Sequence, residues 1–181
     1  MRVGFTGAQG TGKTTLLRRI ENSDLGFTVV PSTAREAVKA GFKVNREADR
    51  LSQLVTTVSR VALEDNLYRT TRRTVGDRTP LDSLAYTAYQ ANFVWDATES
   101  PFYWDISAGL VQEHMFKYDH IFYFPPYFAP KKDGVRDGDA AYQKVIDGII
   151  KAFLDSYQLS YHTVPNANTE ERFAFLTKAV N

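Results

Sequence analysis

Eight consecutive residues near the start of the chain, GAQGTGKT from Gly7 to Thr14, carry the strongest chemical signal in the sequence. Gly7, Gly12, Lys13 and Thr14 fill the fixed positions of the pattern G-x-x-x-x-G-K-[ST], with an apolar strand pattern before it and a helical pattern after it. The residue types explain what such a loop does. Glycines let the backbone turn its N–H groups onto phosphate oxygens, and the start of the next helix adds unpaired donors and a positive dipole end. Lys13 would set its ammonium on the β- and γ-phosphates, Thr14 would offer a hydroxyl to Mg²⁺, and Thr15 would reach the α-phosphate. Gly7, Gln9, Gly10, Thr11, Gly12, Lys13, Thr14 and Thr15 are thus the expected site for a nucleoside triphosphate with Mg²⁺, ATP by default.

A second chemical signal is VGDRTPLDSLAY, residues 75–86. Asp77 and Arg78 close a short apolar run. Thr79 then reads as a helix N-cap, with Pro80 at the first helical position and Asp82 in the first turn. TPLD is explained by the helix start, but the acid-base pair is not. A carboxylate at a strand end beside a phosphate loop can hold Mg²⁺ through water, jointly with Thr14, or accept the proton of an attacking hydroxyl. Arg78 can clamp a phosphate or fix the acceptor. PSTARE puts Arg35 and Glu36 on the same edge, as candidate substrate contacts. YFAPKKDGVRDGD reads as a glycine-hinged lid, about residues 126–139, whose Lys131, Lys132 and Arg136 would close over the triphosphate, stabilise charge and exclude water. In the aromatic stretch FVWDATESPFYW, Phe93, Trp95, Phe102, Tyr103 or Trp104 could stack on an acceptor base, with packing the commoner use of such residues, and Trp95 is the candidate substrate contact.

These residues need a scaffold that brings strand ends together. The pattern predicts strands over Val3 to Thr6, Phe27 to Val30, Thr74 to Gly76, HIFYF and YHTV. Helices are predicted over Lys13 to Asn22, STAREAVKAG, about Arg46 to Arg73, Pro80 to about Phe93, Ile106 to Lys117, Ala140 to Tyr157, and TEERFAFLTKAV. In the long helix, Leu51, Leu54, Val55, Val58, Ala62 and Leu63 recur at helical spacing. Strands alternating with helices predict an α/β fold: one three-layer, Rossmann-like domain over residues 1–181, with about five mainly parallel strands and right-handed crossovers.

Composition narrows the function further. The 181 residues carry 22 basic and 21 acidic side chains and no cysteine. That balance argues against general affinity for nucleic acid or acidic membranes, and it leaves no thiolate nucleophile or thiolate metal site. His114, His120 and His162 lack metal-ligand spacing. No apolar run spans a bilayer and MRVGFTG does not read as a signal peptide, so a cytoplasmic protein is expected. A motor ATPase would carry Asp-Glu after an apolar strand, but HIFYF ends in Pro125-Pro126. A guanine-reading Asn-Lys-x-Asp is also missing, since PNANTEE follows the last strand.

GFTGAQGTGKTTLL, PSTAREA, DRTPLDSLAY and KDGVRDGD together resemble the kinase-like AAA-domain ATPases that include the ribosylnicotinamide kinase domain. More distantly they resemble thymidylate and deoxynucleoside kinases. The resemblance implies a P-loop kinase fold with a short lid, ATP and Mg²⁺, and phosphoryl transfer to a nucleoside or nucleotide. It also implies donor-binding roles for Lys13 and Thr14, Asp77 at the reacting centre and Arg136 as the lid arginine. Two alternatives remain. The acceptor could be a hydroxymethylated base in DNA, which would need a basic groove around Arg69, Arg72 and Arg73. The chain could instead be a non-catalytic ATP-sensing switch or ATPase.

Overall fold

The computed structural model describes residues 1–95, 100–129 and 139–180. Five strands form one wholly parallel sheet in the order β2-β3-β1-β4-β5. They are β1 (Arg2–Thr6), β2 (Thr28–Val30), β3 (Thr74–Asp77), β4 (His120–Tyr123) and β5 (His162–Thr163). The helices are α1 (Lys13–Glu21), α2 (Thr33–Lys39), α3 (Arg50–Thr71), α4 (Pro80–Phe93), α5 (Ser100–Met115), α6 (Ala140–Ser156) and α7 (Thr169–Val180). Every residue of β1 is buried, as expected for a central parallel strand covered on both faces.

Alternation along the strands feeds two cores. Val3, Phe5, Phe122 and Phe124 pack with Leu16, Leu17 and Ile20 of α1 and Leu176 and Val180 of α7. From the opposite face, Ile121 and Tyr123 join Leu81 and Leu84 of α4, Val111 and Met115 of α5, and Ile146 and Ile150 of α6. The result is the expected three layers. Because all strands are parallel, their C-terminal ends share one edge, where α/β sheets bind ligands. Among the described residues no helix is long and apolar enough to cross a membrane.

The structure departs from the sequence expectation in two helices. The aromatic stretch expected as a loop up to Trp104 is helical from Ser100, so α5 starts six residues before Ile106. Pro101 suits a helical first turn, and Trp104 gains packing against Phe153 of α6, ring centres 6.0 Å apart. The second departure is in α3, whose inward face is polar. Ser52, Gln53, Thr56, Thr57, Arg60 and Glu64 are buried, whereas Leu51 is 54% exposed and Val58 45%. The apolar stripe read from spacing is therefore not the face that docks, because Arg60 on the inner face serves strand-end carbonyls and forms a buried ion pair with Glu64.

That ion pair leaves no room beside β3. A Cβ on Gly76 would lie 2.2 Å from Arg60 Nη2 and 2.8 Å from the Arg78 carbonyl oxygen. Gly76→Ala is expected to destabilise the chain by about 1–3 kcal/mol through overpacking. Urea unfolding measures it, and an unchanged midpoint would show that Arg60 moves aside freely.

Candidate active site

The loop after β1 bends through three left-handed glycines, Gly7 (φ 141°), Gly10 (φ 77°) and Gly12 (φ 93°), the last being the N-cap of α1. Side chains there would strain the turn that aims the backbone N–H groups inward. Lys13, 5% exposed, lies across this turn and donates to the carbonyls of Gly7 (2.5 Å) and Ala8 (2.6 Å) and to Thr11 Oγ1 (2.9 Å). Its ammonium is thus already held at the loop. The β1–β3 register pairs Phe5 with Asp77, which brings the Asp77 carboxylate beside the loop. Thr14 Oγ1 donates to Asp77 Oδ2 at 3.3 Å. A hydroxyl and a carboxylate at this spacing are the hard oxygen donors that Mg²⁺ takes, so the residues fit that ion.

Arg78 adopts φ 82°, a left-handed conformation that costs a non-glycine residue about 1–3 kcal/mol and marks a functional constraint when it persists. Its carbonyl accepts a hydrogen bond from Arg60 Nη2. Its guanidinium lies 5.2 Å over the Tyr86 ring, with Nη1 3.3 Å from the Tyr86 hydroxyl and 3.6 Å from Asp82 Oδ1. Burial works against the Arg78 charge, but Tyr86, Asp82 and Asp77 outweigh it and hold its pKa above the ordinary value. Tyr86 in turn donates to Gln9 Oε1 at 2.9 Å, so the arginine is coupled to the phosphate loop.

Asp82 does more than start α4. Fully buried, it accepts from Thr79 N (2.8 Å), Thr79 Oγ1 (2.9 Å) and the Gly7 amide (3.1 Å). One carboxylate therefore caps the helix and anchors the start of the phosphate loop. Arg60 does the same for the strand ends: Nη1 donates to Pro31 O (2.8 Å) after β2 and to Asp77 O (3.2 Å). Glu64 neutralises it from one turn on, and Tyr118 and His114 also contact that carboxylate. Burial alone would raise the Glu64 pKa, yet Arg60 and the bonds from His114 and Tyr118 bring it below the ordinary value.

Two cavities open on this edge. The larger, about 770 Å³, is lined by the loop from Gln9 to Leu16, by Arg35, Phe128 and Arg172, and by the turn Asn166 to Thr169. A volume of this size accommodates a nucleotide. The smaller has about 40 Å³ of free space between Ser52, Gln53, Thr56 and Arg60 of α3 and Ser83 and Tyr86 of α4. As it stands it admits a reacting hydroxyl end rather than a whole nucleoside. Ala34, Val44, Asp77 and Arg78 line both cavities. The acid-base pair therefore stands at the junction between two binding spaces.

The expected site residues divide as follows. The loop residues from Gln9 to Thr15, with Asp77, Arg78 and Arg35, converge on the large cleft, while Gly7 stands outside its lining. Glu36 is exposed and pairs with Lys39 at 2.7 Å, away from Asp77. Trp95 stands behind the small pocket and donates to Ala48 O at 3.3 Å, while Ala48 itself lines that pocket. Arg136, Lys131 and Lys132, with most of the expected lid, lie outside the described residues. Arg72 and Arg73 immediately precede β3, so they sit at the end of that strand opposite Asp77, and Arg73 covers Phe27. His120 and His162 meet across β4 and β5 at 3.3 Å, but the described residues hold no group of three or more metal-binding side chains.

Sequence reasoning missed Asp82 as a loop anchor, together with Gln53, Arg60 and Arg172. One signal was available: Arg60 and Glu64 are an i, i+4 ion pair amid a run of hydroxyl and amide residues at helical spacing. Gln143 was also missed. It ties the loop to the chain before the lid by donating to Gln9 O at 2.6 Å and Phe128 O at 3.2 Å.

Comparison with known proteins gives the family and the fold. The AAA domain family matches residues 2–172. No curated protein sequence matches. Among solved structures, the chain is similar to deoxyadenosine kinase from M. mycoides with dCMP and dCDP bound, with a TM-score of 0.77, 15% identity, and coverage of 100% of this chain and 99% of that one. It is similar to NadR protein in complex with NAD and AMP-PNP, with a TM-score of 0.76, 17% identity, and coverage of 99% of this chain and 48% of that one. Thymidylate kinase from Candida albicans gives a TM-score of 0.68 at 13% identity, over 99% of this chain and 90% of that one. At these identities the likeness establishes the fold.

Proposed function

The chain belongs to the AAA domain family, and we propose that it is a single-domain phosphotransferase moving the γ-phosphoryl of ATP, with Mg²⁺, to a hydroxyl or phosphate of a nucleoside or nucleotide. The observation that carries this reading is the placement of Asp77 and Arg78 in the walls of both cavities. A donor site alone would serve a switch or an ATPase. A second pocket meeting it at an acid and a permanently charged arginine is what transfer between two molecules requires.

The residues then take defined roles. The loop amides and Lys13 hold the donor phosphates, and Thr14 with Asp77 would hold Mg²⁺. Bound there, the ion would supply neutralisation of the negative charge on the donor phosphates. Asp77 Oδ orients the acceptor hydroxyl and takes its proton, and Arg78 stabilises charge on the group in flight. Arg136 of the expected lid adds a further cation. Arg35 and Trp95 remain candidate substrate contacts; Glu36, turned to solvent, does not.

The test is a panel of nucleosides, nucleotides and hydroxymethylated DNA incubated with labelled ATP and Mg²⁺. Labelled nucleoside phosphate or nucleoside diphosphate is expected. Label recovered in DNA would move the acceptor to the polymer. Label recovered only as inorganic phosphate would reduce the chain to an ATPase.

A further inference from the structure

One wall of the large cleft is built by neither the glycine loop nor the sheet edge. Arg172, in the first turns of α7, reaches back into the cleft and is only 5% exposed. Its Nε donates to Pro165 O at 3.0 Å and its Nη1 to Thr11 O at 3.2 Å. The guanidinium packs over Phe128 at 5.0 Å and Tyr127 at 5.9 Å. Its Nη2 is buried with no hydrogen-bond partner. Leaving a donor unsatisfied costs about 1–3 kcal/mol, and more on a charged group. A ligand that brings an acceptor atom to Nη2 recovers that cost.

Position decides which part of the donor it meets. The phosphates belong to the loop amides, Lys13 and Thr14. The space left for the nucleoside half is the part of the same cleft lined by the turn Asn166 to Thr169. Arg172 spans these two structures, bonded to Thr11 on one and to Pro165 at the root of the other. Phe128 packs against the guanidinium, so what the side chain still has to offer a ligand is the unpartnered Nη2.

We propose that Arg172 is a donor-binding residue whose free Nη2 hydrogen-bonds an acceptor atom on the base of the bound nucleoside triphosphate. This rests on reading the large cleft as the triphosphate site. The same contact, through Thr11, ties base occupancy to the shape of the phosphate loop.

Binding of three Mg²⁺-loaded probes to the full chain separates the possibilities by calorimetry: ATP, 2′,3′-dideoxy-ATP and inorganic tripolyphosphate. Arg172→Met is expected to weaken ATP and dideoxy-ATP by about tenfold, the worth of one charged hydrogen bond. Tripolyphosphate, which has no base, is expected to stay within about twofold, since the loop's own phosphate contacts remain. Equal losses for all three would make Arg172 a mere support for the Thr11 carbonyl and overturn the proposal. A loss for ATP but not for dideoxy-ATP would move the bond to the ribose and overturn the assignment to the base. Arg172→Lys keeps a charge at this position and serves if the Met variant does not fold; the same ranking with smaller losses is expected. Tripolyphosphate binding the unaltered chain as tightly as ATP also overturns the contact. If the unaltered chain binds neither ATP nor tripolyphosphate, what fails is the donor-site reading beneath it.

Discussion

Asp77→Asn is expected to lower phosphoryl transfer by about 10²–10⁴-fold, the range for removal of a positioned proton acceptor, with the fold intact. The substitution is nearly isosteric, and the amide oxygen still accepts the hydrogen bond that Thr14 Oγ1 gives to Asp77. The backbone carbonyl that Arg60 holds is untouched. Thermal unfolding should therefore shift little while turnover collapses. The form of the loss separates the two roles of the carboxylate. If it chiefly takes the proton, added Mg²⁺ does not help. If it chiefly helps Thr14 hold the ion, the Mg²⁺ concentration for half-maximal rate rises and high Mg²⁺ restores part of the activity. Transfer within tenfold of the unaltered protein would remove Asp77 from the reacting centre and leave the two-cavity junction without a chemical role.

The second large effect is on stability. Arg60 and Glu64 are each 1% exposed, and both pKa directions agree on a charged pair. Arg60→Met leaves the Glu64 carboxylate buried with only Tyr118 and His114 as partners. Breaking such a pair from one side costs about 3–5 kcal/mol. At about 2–4 °C per kcal/mol for a chain of this length, the unfolding midpoint is expected to fall by several to twenty degrees. The double variant Arg60→Met with Glu64→Leu removes the stranded charge and should recover part of that stability. It should not recover activity, because the carbonyls of Pro31, Asp77 and Arg78 have lost the donor that holds the strand ends together. A midpoint for Arg60→Met within about 2 °C of the parent, the shift below 1 kcal/mol, would show that the network contributes little.

The same network sets a pH dependence. The Glu64 pKa is lower in the folded chain than in the unfolded one. Its contribution is therefore complete above the ordinary carboxylate value of about 4.3 and is lost as the pH falls through the depressed folded value. The unaltered chain should lose stability with acid in that window, and Glu64→Gln should flatten the loss.

How far the site could be read in advance depended on how local each element is. Residues 7–14 form their cradle from adjacent backbone, so eight letters in a row were enough to expect the turn, the lysine and the helix start. Asp77 and Arg78 were legible because a strand end next to a helix cap places them whatever the remainder of the chain does. Glu36 was equally near a strand end, yet α2 is seven residues long and its rotation turns that carboxylate onto Lys39. The docking face of α3 was misread for a related reason. Helical spacing identifies faces but not which one meets unsatisfied strand-end carbonyls, and that need drew Arg60 inward while Leu51 and Val58 stayed exposed.

By itself the sequence determined the alternation of strands and helices, the parallel three-layer architecture, the phosphate loop and the acid-base pair beside it. Each follows from contacts within a turn or two of chain or from periodicity, which folding does not alter. Only the tertiary structure decided what holds that machinery in place and what it faces. Asp82 reaches the Gly7 amide across 75 residues, and Arg172 reaches Thr11 across 161. Bonds of that kind exist only once the sheet order has brought distant strand ends to one edge, because a carboxylate or guanidinium is directional at hydrogen-bond range and carries no periodic mark in the chain. The junction of the two cavities at Asp77 and Arg78 belongs to the same class, since it is set by how α3, α4 and the glycine loop close around one strand end.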